Sequence, residues 1–447
     1  MRPLARNLLL LSTTALAASA LGAIVPAAAQ DKKPVTVLTI GYPDEDTTDA
    51  VTGNTTPGIN NLEAAFEAAN PTIDLIITNI PWGEGASGYA PKTEAMIQAN
   101  EACIYEMPGA AGFARRGKLA NLDKLIAADA NFENVWGAQI ETFKIWGPTE
   151  KALYYIPNNT GERVIHWDAV LFDHYGVEPL SKNPTLDEVA TKAKALTGTD
   201  PVTGLQTYGY YYQGKYAVWQ FLTLAHAMGA NWGEVDAEGK MHINWDTPEY
   251  LKALEWFVDM AKYAPSGALG ADGMPQGFLS DENVVAIIPE GEQGYFIQPL
   301  LANPELQKRF RSSFNFRGAD GVGGVATISP MAIAESCEDK ETAWTALKWL
   351  AGSAEAQKYY FDSNGRLPTS SNGAAALPQI ASFPDGDVVL TQPQYAEAPY
   401  PWASDAPRWA MQTALEAALA GTLSPADALK QAQAETDAWL AEQAAKS

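Results

Sequence analysis

Two stretches bring together residues that could bind an ion or a phosphate, and both fall short. "DEDTTD" (44–49) spaces Asp44 and Asp46 two apart, as a calcium loop does, but Asp49 stands where that loop needs glycine and Thr55 where it needs glutamate. "GYYYQGKY" (209–216) has the G-x-x-x-x-G-K spacing of a phosphate loop, yet Tyr216 replaces the magnesium-holding Ser or Thr. Three tyrosines also fill positions where backbone amides must approach phosphate. His166, His174, His226 and His242 are scattered without zinc-ligand spacing, and no G-x-S-x-G nucleophile elbow occurs. Neither metal nor cofactor is expected. The 44–49 loop still matters, because it follows the carboxyl end of a strand, where open parallel sheets bind ligands.

The elements that would position such a loop alternate in type. "VTVLTIGY" (35–42) reads as a strand, "PGINNLEAAFEAANP" (57–71) as a helix with Ile59, Leu62 and Phe66 on one face, and "TIDLIITNI" (72–80) as a second strand. "APKTEAMIQANEA" then reads as helix and "CIYEM" (103–107) as a third strand. Strands separated by helices imply crossovers and a mainly parallel sheet covered on both faces, an α/β lobe. In "YYIPNNTG" (154–161) the strand pattern breaks at Pro157, Asn158 and Asn159, which disfavours a continuous central strand. A second α/β half follows. Thr185 with Glu188 forms a capping box, Thr247-Pro248 opens another helix, and "NVVAIIP" and "GGVATISPMAIA" are buried strands. "KETAWTALKWLAGSAEAQKYYF" reads as one helix, and two C-terminal helices part at Gly421.

Residues 1–29 have a cationic start, an apolar run and an Ala-x-Ala box ending near Ala29, the pattern of a cleaved signal peptide and so of a periplasmic protein. The net charge of −23 disfavours nucleic acid and anionic membrane as partners. Cys103 and Cys337 are the two cysteines, too few for a disulfide framework. Spacing leaves their pairing open, and the apolar run around Cys103 points to a buried free thiol.

Several segments together resemble family 1 of the bacterial extracellular solute-binding proteins, the sugar-binding, maltose-binding-protein type. They are "FARRGKLANLDKLI" (113–126), "ALYYIPNNTGERVIHWDAVLFDHYGVEPLSKNPTLDEV" (152–189), "GGVATISPMAIAESCEDKETAWTALKWL" and "GRLPT" (365–369). The chain departs from that pattern at Glu101-Ala102-Cys103 for Pro-Asp-Val, at Leu186 for Trp, and at Gly294-Tyr295-Phe296 for Gly-x-Trp.

The resemblance implies two α/β lobes joined by a three-segment hinge, a periplasmic binding protein of type II. Lobe 1 would comprise 30–157 and 325–372, and lobe 2 158–324 and 373–447. Crossings are expected at Pro157–Gly161, near Gly323-Gly324, and from Pro368 to Gly373. It further implies a monomer that captures a small molecule, a sugar, between the lobes and hands it to an ABC transporter permease, without catalysis. Sugar sites pair carboxylates, amides and arginine with aromatic rings. The candidates are Tyr42, Asp44, Asp46, Trp82, Glu106, Asn158, Asn159, Arg366, and in the second lobe Tyr211, Tyr212, Trp232, Glu290, Tyr295 and Trp402, with Trp409 nearby. Glu106 is the nearest replacement for the missing Asp, and Tyr295 or Phe296 for the missing Trp. Two alternatives remain: a cationic solute drawn to the acidic 44–49 loop, or a periplasmic two-carboxylate glycosidase.

Overall fold

A computed structural model describes residues 32–48, 55–83, 89–160, 163–236, 240–267, 275, 277–292, 294–324, 328–392, 395 and 406–446. The signal-peptide segment lies outside them. Strand β1 (Lys33–Ile40) leads through α1 (Ile59–Ala69) to β2 (Ile73–Ile80), and through α2 (Tyr89–Ala99) to β3 (Ile104–Glu106). The chain then passes through β4 (Ile156–Thr160) into β5 (Arg163–Asp168). Helices α3 (Leu186–Ala195), α4 (Ala217–Ala227) and α5 (Pro248–Asp259) precede β6 (Ile287–Glu292), α6 (Gly294–Ala302) and β7 (Phe310–Ser313). Strand β8 (Ile328–Ile333), helices α7 (Lys340–Gly352) and α8 (Ala354–Asn364), and β9 (Leu367–Pro368) come next. Helices α9 (Ala406–Leu419) and α10 (Pro425–Lys446) end the chain.

Two sheets organise two α/β lobes. The first has six strands in the order β9-β4-β8-β3-β1-β2, and the second has three in the order β6-β5-β7. Side chains of the first sheet alternate between two buried faces: Val35, Val37, Ile104, Met331 and Ile333 on one, Leu38, Ile40, Tyr105, Ala332 and Ala334 on the other. This is the burial of a sheet covered on both sides. The second lobe packs Phe221, Leu222, Trp245, Tyr250, Phe257, Ile287 and Ile288 into its own core.

The parallel pairing expected from the alternation holds for β2-β1-β3, whereas β8 runs antiparallel to both β3 and β4, and the second sheet is antiparallel throughout. The cause is the route of the chain: β8 enters the first sheet from the side that β3 and β4 leave. A second difference concerns the proline break. Residues 156–160 form a fully buried strand between β8 and β9, so the pattern expected to interrupt a strand is itself a strand of the first sheet. Pro157 is tolerated because it stands opposite Pro330 at a register shift, where neither residue has an N–H to offer the ladder. The Pro157 carbonyl accepts instead from the Thr369 hydroxyl at 2.7 Å.

Smaller corrections follow the same logic. The helix expected over 340–361 is two helices, because Ser353 leaves helical geometry and caps the second through the Ala356 N–H at 3.1 Å. Thr185 caps α3 by accepting from the Glu188 N–H, but the Glu188 carboxylate turns to Ser181 and Lys192. Cys103 is not a free thiol: it is bonded to Cys337 across a sequence separation of 234. Cys103 precedes β3 and Cys337 follows β8, and the adjacency of those strands makes the pairing possible. Among the described residues no helix is long and apolar enough to cross a membrane.

Candidate functional site

Strands β1, β2, β3 and β4 run in one direction, so their carboxyl ends share one edge of the first sheet. That edge receives Tyr42, Trp82, Glu106 and Asn158-Asn159, while Ser329 enters it at the start of β8 and Arg366 just before β9.

Glu106 is the centre of this group and is 2 % exposed. It accepts from the Ile40 N–H at 3.3 Å and from the Tyr42 hydroxyl at 3.2 Å, and the Asn159 amide donates to that same hydroxyl at 3.4 Å. Burial pushes the Glu106 carboxyl up to about 7, against the pull of the Ile40 N–H, the Tyr42 hydroxyl, the Arg366 charge and the Ser329 hydroxyl. Tyr42, Tyr359 and Tyr360 form a triangle of rings with centroids 5.6–5.8 Å apart. Burial, with the Glu106 charge, also raises all three phenols.

Several polar atoms here have nothing to bond. Both amide atoms of Asn158, Oδ1 of Asn159 and the hydroxyls of Tyr359 and Tyr360 are buried without a hydrogen-bond partner. The Tyr360 hydroxyl approaches the Asn158 amide and the Tyr359 hydroxyl approaches Ser363, each outside full hydrogen-bond geometry. An orphaned buried polar group costs about 1–3 kcal/mol, so their concentration on this sheet edge makes it the candidate site. Amides and phenols both donate and accept, which matches hydroxyl groups.

Trp82 completes the edge. It is 43 % exposed, packs edge-to-face on Tyr89 at 5.2 Å, and lies over Gly41, which has φ +82° and no room for a Cβ. Arg408 of α9, whose helix packs into the second-lobe core, lies within electrostatic reach of Tyr89 at the start of α2.

The remaining candidates are placed elsewhere. Asp44 is exposed and is reached by the Asn79 amide at 3.4 Å. Asp46 accepts from the Gly58 N–H and the Asn61 amide, which hold its carboxyl below the usual range, so it anchors the turn into α1. Tyr211, Tyr212 and Trp232 are buried in the second-lobe core; Tyr212 donates to the Phe257 carbonyl and Trp232 to the Leu222 carbonyl. The tyrosines pack there because "GYYY" runs between α3 and α5, with Gly209 against Ala193 and Tyr212 against Phe257. Glu290 sits in β6 and Tyr295 in α6, but their side chains, like the whole of Trp402, lie outside the described residues. Trp409 is inside α9 and 48 % exposed.

The model of the bacterial extracellular solute-binding protein family matches residues 52–357. This chain belongs to that family. Among curated relatives, the solute-binding protein is 24% identical over 311 residues to a binding protein of Brucella abortus, covering 66% of this chain and 69% of that one. Its fold is that of the sugar-binding protein MalE from Xanthomonas citri, with a TM-score of 0.73 at 17% identity over 92% of this chain and 98% of that one. It also matches an ABC substrate-binding protein of Listeria monocytogenes in complex with cycloalternan, with a TM-score of 0.68 at 19% identity over 90% and 97%. A third match is an ABC transporter solute-binding protein of Agrobacterium radiobacter in complex with ribitol, with a TM-score of 0.66 at 20% identity over 91% and 98%.

Sequence reasoning on the solute-binding protein passed over Tyr359, Tyr360, Ser329 and Arg408. Tyr359 and Tyr360 look like part of a helical stripe, and adjacency of two tyrosines at the end of a helix is the sole signal they carry.

Proposed function

We propose that this solute-binding protein captures a carbohydrate between its two lobes and delivers it, without chemical change, to the permease of an ABC transporter, acting as a monomer in the periplasm after cleavage near Ala29. The observation that carries the reading is the set of unpartnered amide and phenol groups around Glu106 on the strand-end edge. Those groups exchange hydrogen bonds with sugar hydroxyls, while Trp82 offers a ring to a C–H face. Sugars and polyols occupy the neighbours from Listeria and Agrobacterium, which supports the same class of ligand. The glycosidase alternative would need a second carboxylate paired with Glu106, which the contacts of Glu106 among the described residues (the Ile40 N–H, the Tyr42 and Ser329 hydroxyls, the Arg366 charge) do not include. The cationic alternative loses Asp46 to backbone contacts.

Lobe 1 is assigned to 30–157 and 325–372, extended through Thr160, and lobe 2 to the intervening residues and 373–447. Contacts from both lobes coexist in the closed form alone, so ligand shifts the population towards closure. Titration calorimetry against neutral and acidic oligosaccharides, with recovery of the bound sugar, should give stoichiometric binding of intact ligand, and small-angle scattering should show contraction at saturation. Cleaved sugar, or an unchanged scattering profile, would remove the reading.

A further inference from the structure

The strand-end edge of the first lobe mixes donors and acceptors, whereas the described second-lobe residues Arg408, Arg163 and Gln213 bring N–H donors. Arg408 is partly buried near the start of α9, with its Nε buried and without a hydrogen-bond partner. Its guanidinium lies 5.0 Å from the Trp219 ring centre and 4.5 Å from that of Trp409, so the two indoles hold the flat group. Burial, helped by the Arg163 charge and opposed by Tyr89 and Tyr216, holds the guanidinium below its usual range, and none of these neighbours is a carboxylate. Arg163 opens β5 opposite Glu292 and reaches the Gln213 side-chain carbonyl at 3.5 Å. Gln213, 4 % exposed, is thereby oriented with its Nε2 buried and unpartnered.

A partly buried cation with an unmet N–H, linked through Arg163 to an amide whose N–H is also unmet, suits a group that accepts without donating. Sugar hydroxyls do both, whereas a carboxylate accepts through two oxygens and matches the fork of a guanidinium. The position is also right for a ligand spanning the lobes: Tyr89 contacts Trp82, and Trp82 covers Gly41 beside Tyr42.

Resting on the carbohydrate reading above, we propose that the ligand is an acidic sugar of the uronic-acid type, its hydroxyls held by the Glu106–Tyr42–Asn159 group and its carboxylate by Arg408 with Gln213. The arrangement divides recognition between the lobes, so that neutral and acidic sugars of the same shape are told apart by the second lobe alone.

The test is titration calorimetry of the unaltered mature protein with matched pairs: digalacturonate against galactobiose, and diglucuronate against cellobiose. A charge-assisted contact is worth about tenfold to a hundredfold in affinity, so the acidic member of a pair should bind tighter by that factor. Arg408→Gln should abolish the preference, bringing the acidic member to the affinity of its neutral partner measured on the same variant, and Arg408→Lys should restore a part of it. Equal affinity for the two members, or a preference that survives Arg408→Gln, overturns the inference and leaves carbohydrate capture standing. Binding of neither member of either pair, by protein that unfolds cooperatively, overturns both.

Discussion

Glu106 shows how a single residue records its surroundings. Its carboxyl titrates near 7 because β3 ends inside the protein, with tyrosine rings where water would otherwise stand. The sign of the consequence is fixed. Unfolded Glu106 loses its proton near pH 4.5 while the folded form keeps it until about 7, so the folded state binds more protons across that window and stability falls as pH rises through it. Glu106→Gln is neutral throughout. Relative to that variant, the native protein should lose on the order of 3 kcal/mol between pH 4 and pH 8. Urea unfolding of both proteins at the two pH values checks this; parallel behaviour would mean that the carboxyl is solvated.

At the scale of elements, the site depends on where strands stop. The chain leaves β1 through Gly41 in left-handed geometry, and this lets Trp82, leaving β2, lie flat over it: a Cβ at Gly41 would fall 1.8 Å from the Trp82 indole nitrogen. Gly41→Ala should therefore cost about 1–3 kcal/mol, from backbone strain and displacement of the indole, and weaken ligand binding at the same time. A denaturation midpoint equal to that of the native protein would show the ring to be free of the turn. This part of the arrangement was legible beforehand: the alternation of strands and helices put Tyr42, Trp82 and Glu106 after or at strand ends, and ends of parallel strands gather on one edge. The proline break in β4 was misread because proline forbids one ladder bond, and the sequence does not reveal that Pro330 lies opposite and asks for none.

For the whole molecule, Cys103–Cys337 ties the N-terminal strands to a segment that returns only after the second lobe has been built. A bond closing so long a loop restricts the unfolded chain more than the folded one. The double variant Cys103→Ser/Cys337→Ser should lose about 2–5 kcal/mol in urea unfolding, and the native protein should show no titratable thiol in denaturant before reduction. Two reactive thiols in that assay would refute the bond. A separate apolar cluster also links distant segments: Ile297 of α6 packs with Phe361 of α8, Leu367, Leu377, Ile380 and Val389.

By itself the sequence determined what local periodicity and capping determine: the α/β alternation, the helix starts at Thr185 and Thr247, the turn at Gly421, and the carboxylates and amides brought to strand ends. Tertiary structure alone decided which of these meet. Tyr359 and Tyr360 join Glu106 because α8 packs beside β4; Tyr211 and Tyr212 leave the site because they lie under α5; and Arg408 faces the first lobe because of how α9 is seated. A side chain's face is written in its neighbours along the chain, but whether its polar atoms find a partner depends on segments hundreds of residues away, and here that missing partnership marks the site.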